Sequence, residues 1–342
     1  MLNTSKFPNK VTKKEIFDIS DHEFGTKILR PQSLDDYIGQ KNIKQQLKVF
    51  LEAAKQRNEP IEHVLFYGPP GLGKTTLANI MAKEMKVEIK ITSGPAIERI
   101  GDLGSILTNL NDGDVLFIDE IHRLNKSIEE VLYPVMEDYK LDLVVGKGPG
   151  AQALQIDLPK FTLIGATTKL GFISNPMRDR FGVIHRLEFY SHDEIVQIIK
   201  RSSNILNVKI NSDALNVLAN ASRRTPRIAN RLLKRSRDYA QVQKYDIITK
   251  EVVELTLKNL GIDKSGLEPA DRELLRFIIE KFNGGPVGVS TLANVLSEDI
   301  RTIQEAYEPY LLQLGLLEKT PRGRITTKKA YEILGYKYLN SK

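Results

Sequence analysis

Apolar residues along the first half of the chain fall into two alternating rhythms. Short apolar runs, HVLFY (63–67), VEIKIT (87–92), DVLFID (114–119), FTLIGATT (161–168) and VIHRLEF (183–189), predict β-strands. Between them the spacing stretches to that of helices, first over Lys41 to Arg57, where Ile43, Leu47, Phe50, Leu51 and Ala54 fall on one side. The middle runs are apolar at successive positions, as strands covered by helices on both faces must be. Strands alternating with helices predict an α/β domain built on a parallel sheet with crossover connections.

After Tyr190 the short rhythm stops. Residues 192–258 carry helical spacing throughout, with Ser, Asp or Thr at the helix starts. The link GIDKSGLEP (261–269) opens a third block, in which DRELLRFIIEKF, VSTLANVL and DIRTIQEAYEPYLLQLGLL predict three helices and LLEKTPRGRITTKK a strand-like basic tail. Three helices followed by a basic hairpin is the outline of a winged helix. The expected organisation is a flexible arm over 1–25, a large α/β domain over 26–190, a small helical domain over 191–262 and a winged-helix domain over 263–342.

Composition narrows the class. With 41% hydrophobic and 27% charged residues in 342, the chain has enough apolar material for several packed cores and is too apolar to be disordered. A net charge of +7 is a mild bias toward anionic partners. No cysteine is present, which excludes disulfides and thiolate metal sites, and the five histidines have no ligand-like spacing. The N-terminus lacks the apolar core of a signal peptide, and no run is long enough to span a bilayer, so a cytoplasmic protein with no membrane contact is expected.

The sharpest motif is GPPGLGKTT (68–76), between a strand and a helix. Its glycines allow several backbone N–H groups to face one anion, and the helix N-terminus adds partial positive charge. In such a loop Lys74 reaches the β- and γ-phosphates of ATP and the Thr75 hydroxyl ligates Mg²⁺. DVLFIDEIH (114–122) ends an apolar strand in two adjacent carboxylates, an arrangement that calls for a nearby cation. Asp119 is the expected Mg²⁺ residue and Glu120 the group that orients or deprotonates the attacking water. A D-E-x-H sequence also marks two-lobed helicases, but those need a second α/β lobe, and here the chain turns helical after 190. Thr168, ending GATT, can bond the attacking water or the γ-phosphate from a strand tip. Arg178 and Arg180 in NPMRDRFG (175–182) read either as a surface salt-bridge patch or as cations supplied to a neighbouring subunit's transition state.

Residues 140–160, KLDLVVGKGPGAQALQIDLPK, read as a β-hairpin whose Leu143, Val145, Leu154 and Ile156 offer an apolar docking face. In the tail, Lys319, Arg322 and Arg324 around a Gly suit contact with a DNA backbone and little base reading. Removing Arg322 and Arg324 together is expected to flatten the logarithmic salt dependence of binding by about two units.

Together these segments resemble the AAA+ ring ATPases and, within them, the RuvB family of bacterial Holliday-junction branch-migration motors. ILRPQSLDDYIGQ, FYGPPGLGKTTLANIMAKEM, VLFIDEIHRLNKSIEEVLYPVMEDY, IGATTKLGFISNPMRDRFG, TPRIANRLLKRSRDYAQV, GGPVGVSTLANVL and EKTPRGRITTKKAYE carry the resemblance over roughly residues 28–335. The resemblance implies a homo-hexameric ring that hydrolyses ATP with Mg²⁺ to drive branch migration on duplex DNA at four-way junctions, in recombination and repair, with RuvA docking on the 140–160 hairpin and RuvC as a further partner. It implies that Gly71 and Thr76 join Lys74 and Thr75 at the phosphates, and that Leu29, Arg30 and Tyr190 lie near the base. It also places Glu137, Asp138 and Tyr139 near the nucleotide, makes Arg180 a finger acting in trans and makes Arg227 a lid sensor of the γ-phosphate. Pro226 favours a helix start that would fix Arg227 in the first turn. Competing readings are a clamp loader or replication initiator, a protein remodeller using the winged helix as adaptor, and a slow DNA-binding switch.

Overall fold

The computed structural model describes residues 28–145 and 152–338, so the arm expected over 1–25 and positions 146–151 of the expected hairpin lie outside the described residues. Among the described residues seven strands precede residue 190: β1 (Val64–Tyr67), β2 (Ile89–Ser93), β3 (Val115–Asp119), β4 (Lys140–Val145), β5 (Gln152–Asp157), β6 (Thr162–Thr167) and β7 (Val183–Arg186). Five of them form a parallel sheet in the order β2-β3-β6-β1-β7, while β4 and β5 make a separate antiparallel pair.

Alternation along the inner strands divides the core between the two faces of the sheet. Phe66, Phe117 and Ile164 point into one apolar cluster with Leu47 and Leu51 of helix Lys41–Arg57 and Leu77 and Met81 of helix Lys74–Met85. Leu65, Leu116 and Leu163, their immediate neighbours in sequence, point into the other, with Leu103 of helix Ile100–Leu107 and Leu132 of helix Lys126–Asp138. Every residue of β6 is buried, and β2 and β7 are the half-exposed edges, so the two-faced apolar pattern belongs to the inner strands alone.

The first of those clusters runs on into the lid, where Ile195, Ile199, Leu218, Leu232 and Leu233 join it. The lid consists of helices His192–Ile205, Ser212–Ala221, Pro226–Val242 and Lys250–Asn259. It also holds a two-residue parallel pair, β8 (Lys209–Ile210) with β9 (Ile247–Ile248), too short for any periodicity to betray.

The winged-helix block that follows, the head, has its own core around Leu274, Leu275, Ile278, Leu292 and Leu311. Helices Pro269–Phe282 and Val289–Leu296 are followed by a helical run broken by a π turn at Ile303–Tyr307. Pro309, just beyond, accounts for that turn: its ring clashes with the carbonyl four residues back, and the wider π turn relieves the clash. The wing is the antiparallel pair β10 (Leu317–Thr320) and β11 (Gly323–Thr326). Lid and head are joined by a buried ion pair between Arg223 and Asp271. The Arg223 guanidinium also lies 4.9 Å from the Tyr310 ring centre, and its Nε donates to the Gly266 carbonyl at 2.9 Å.

Candidate active site

The carboxyl ends of β1, β6 and β3 lie side by side, which is where an open α/β sheet binds ligands. Above them opens a cleft of about 410 Å³ whose lining includes Leu29, Arg30, Gly71, Lys74, Thr75, Thr76, Asp119, Glu120, Tyr190 and Arg227. Its walls thus come from the segment before the first helix, the phosphate loop, the β3 tip and the lid.

The loop has its shape because two buried phenols hold it. The hydroxyls of Tyr37 and Tyr190 are 2.9 Å apart and lie 3.1 and 3.0 Å from the Leu72 carbonyl oxygen. Gly73 has φ +105°, and a Cβ there would collide with the Tyr37 hydroxyl, so the clamp and the glycine require each other. Burial pushes the Tyr190 phenol up to about 12 and Tyr37 well above its ordinary value, so both stay protonated and able to donate. Tyr37 was not legible as a site residue: it lies 35 residues from Leu72, with no motif linking them.

Lys74 opens the following helix and donates to the Gly68 and Pro69 carbonyls at 2.7 and 3.0 Å. Burial lowers its ammonium to about 8, against the pull of Asp119 and Glu120, and Arg227 lowers it further. A phosphate needs the charged amine. Nucleotide affinity is therefore expected to be insensitive to this group below about pH 8 and to fall about tenfold per pH unit above it, with proton uptake on binding. Titration calorimetry in buffers of different ionisation enthalpy measures that uptake; no uptake above the break would take Lys74 out of phosphate binding.

At the β3 tip, the Glu120 backbone N–H donates to Asp119 Oδ1 at 2.9 Å, and Glu120 itself sits at φ +48°. Burial first, then the Asp119 charge, raises the Glu120 carboxyl above its ordinary range, which strengthens it as a base. Thr168 Oγ1 donates to Glu120 Oε2 at 3.3 Å. His122 Nδ1 lies 3.3 Å from the same oxygen and 2.9 Å from Thr167 Oγ1. His122 was visible only as a letter of the motif; its approach to Glu120 depends on the turn after β3.

The cleft suits a nucleotide with a metal ion. Asn230 Oδ1, in the lining one turn beyond Arg227, is buried without a partner and is an acceptor suited to a base or ribose donor. Arg201 Nη1 donates to the Leu29 carbonyl at 2.8 Å, fixing the wall on that side. Among the described residues no group of three or more acidic or His side chains could cage a metal. Thr75 and Asp119 are what Mg²⁺ asks of a protein when phosphates and water supply its other ligands.

Arg180, Glu137, Asp138 and Tyr139 do not line this cleft. Arg180 is held away from it, 4.4 Å over the Tyr133 ring, donating to the Pro176 carbonyl at 2.8 Å and paired with Glu137 at 3.2 Å. Asp138 is exposed beside Glu137, whereas Tyr139 packs edge-on against Phe161. In the hairpin, Leu143 pairs with Leu154 and Val145 with Gln152 in register. Leu154 is 50% exposed and Ile156 half-buried.

The wing needs a correction. Lys319 and Arg322 are exposed at its end, but Arg324 is 7% exposed and donates from Nε to buried Glu308 at 2.6 Å. β11 turns alternate side chains to opposite faces, and Arg324 falls on the inner one. A phosphate would have to displace Glu308 to reach it. Arg322→Ala is therefore expected to flatten the salt dependence of DNA binding by about 0.9 on its own. Arg324→Ala should instead cost the head about 3–5 kcal/mol by stranding Glu308. Urea melts and salt titrations of the two variants separate the effects; an unstable Arg322→Ala would reverse the assignment.

A phosphate loop, paired carboxylates at the next strand but one, a polar strand tip between them and an arginine from a helical lid define a P-loop ATPase of the AAA+ class. The comparisons carry this to a family. Residues 29–187 match the Holliday junction DNA helicase RuvB P-loop domain, 190–263 the RuvB AAA lid domain and 264–335 the RuvB C-terminal winged helix domain. The chain belongs to the RuvB family. It is 58% identical over 319 residues to the Holliday junction branch migration complex subunit RuvB of Chloroflexus aurantiacus, covering 93% of this chain and 91% of that one. The solved Thermotoga maritima RuvB Holliday junction branch migration motor superposes with a TM-score of 0.84 at 51% identity, over 91% of this chain and 99% of that one. A mutant form of the same Thermotoga protein gives the same TM-score.

Proposed function

We propose that this chain is the motor subunit of a Holliday-junction branch-migration machine, working as a cytoplasmic homo-hexameric ring on duplex DNA at four-way junctions with RuvA and RuvC. The observation that carries the reading is in one short lid segment. Arg227 faces the phosphate loop, close enough that a Cβ on Gly71 would stand 3.1 Å from its own, and four residues earlier Arg223 is buried against Asp271 of the head. An event at the γ-phosphate that moves Arg227 moves the head with it.

In this reading Lys74 and Thr76 hold the phosphates, and Leu29, Arg30 and Tyr190 shape the base end of the cleft. Thr75 and Asp119 hold Mg²⁺, which neutralises charge on the phosphates when bound. Glu120 takes the proton of the attacking water, and Thr168 fixes the carboxylate that does so. Arg180, standing outside its own cleft with Glu137 and Asp138 beside it, completes the site of the next subunit. The working units are 26–190, 191–262 and 263–342. Lys319 and Arg322 grip the DNA backbone, and the β4–β5 hairpin, with Leu143, Val145, Leu154 and Ile156, is the RuvA dock.

The test is ATPase rate with and without four-way-junction DNA, read alongside oligomer mass and strand exchange on a synthetic junction. Stimulation by the junction, a ring-sized particle and exchange are expected. A monomer at full rate, indifferent to DNA, would sink the proposal.

A further inference from the structure

Lys169 follows Thr168 at the tip of β6, and its Nζ lies 2.5 Å from Glu305 Oε1 in the π turn of the head. It also stands 5.0 Å over the Phe172 ring. Its backbone N–H donates to Thr167 Oγ1 at 2.9 Å, the oxygen that touches His122. Thr168 and His122 in turn converge on Glu120 Oε2. Residues 167–169 are thus tied on one side to the catalytic carboxylate and on the other to the DNA-binding domain.

The two links to the head differ in kind. Arg223 and Asp271 are buried and cannot part without leaving charges stranded. Lys169 and Glu305 are 23% and 39% exposed, and an ion pair so open to water is weak enough to break and re-form. The head therefore travels with the lid and touches the sheet through a contact that can be made and broken.

We propose that Glu305 is a positioning residue for ATP hydrolysis: through Lys169 it steadies the β6 tip that orients Glu120, so displacement of the head changes turnover. This rests on Glu120 being the base. The test is steady-state ATPase kinetics of the full chain for Glu305→Gln, Lys169→Met, the double variant and Lys169→Arg as the conservative control. Each single variant is expected to lower kcat about fivefold at unchanged KM and Tm, the double variant no further, and Lys169→Arg to keep the parent rate. Unchanged kcat in both single variants, additive losses in the double, or losses that track a fall in Tm would overturn the link. Full turnover by Glu120→Gln in the same assay would instead overturn the assignment of the base on which it stands.

Discussion

Glu120→Gln is expected to bind ATP as tightly as the parent protein and to turn it over about 10²–10⁴ times more slowly. The amide keeps the volume of the carboxylate and can still accept from Thr168, whose Oγ1 stands 3.3 Å away. What it loses is basicity, and Glu120 has that in excess because burial and Asp119 raise its carboxyl. Asp119 and Lys74 are untouched, so the substrate is held and not cleaved. Equilibrium binding of labelled ATP beside single-turnover hydrolysis checks both halves; a variant that still hydrolyses at the parent rate would move the base elsewhere.

Arg180→Ala should reduce turnover still further, by about 10³–10⁵, the range for a finger that meets the transition state. The deficit should appear in a neighbour's site. The guanidinium is held in one place, stacked 4.4 Å over Tyr133 and paired with Glu137, and a finger so held would need little further ordering at the moment of reaction. Mixing the variant with Lys74→Ala is the decisive measurement. Turnover recovered by two separately inactive proteins, an intact phosphate loop meeting an intact Arg180 on another subunit, supports action across the interface, and a mixture that stays inactive would return Arg180 to a structural pairing with Glu137.

The sequence carried the nucleotide end of the molecule well because that chemistry is local. GPPGLGKTT and DVLFIDEIH each hold their functional groups within a few residues, and strand rhythm was enough to place both at strand ends. Residues that act across long separations were hidden. Tyr37 clamps a carbonyl 35 residues away, and Lys169 meets Glu305 from another domain; neither has neighbours that advertise it. Arg324 shows the opposite failure. A basic turn reads as a single surface, yet Arg322 stands in the turn and Arg324 one step inside β11, on the face it shares with buried Thr326, where Glu308 neutralises it. A two-residue period in RGRIT would put both arginines on one face, and nothing in those letters says that the strand begins only at Gly323.

The segregation of apolar material carries a broader consequence. Lid and sheet draw on a common hydrophobic reservoir, whereas the winged helix owns a complete one and adheres to its support by a handful of polar grips. The chain is built like a tool with an interchangeable bit. A different terminal module, provided it offered one acid to Arg223 and another to Lys169, could be driven by the same engine without repacking the engine's interior.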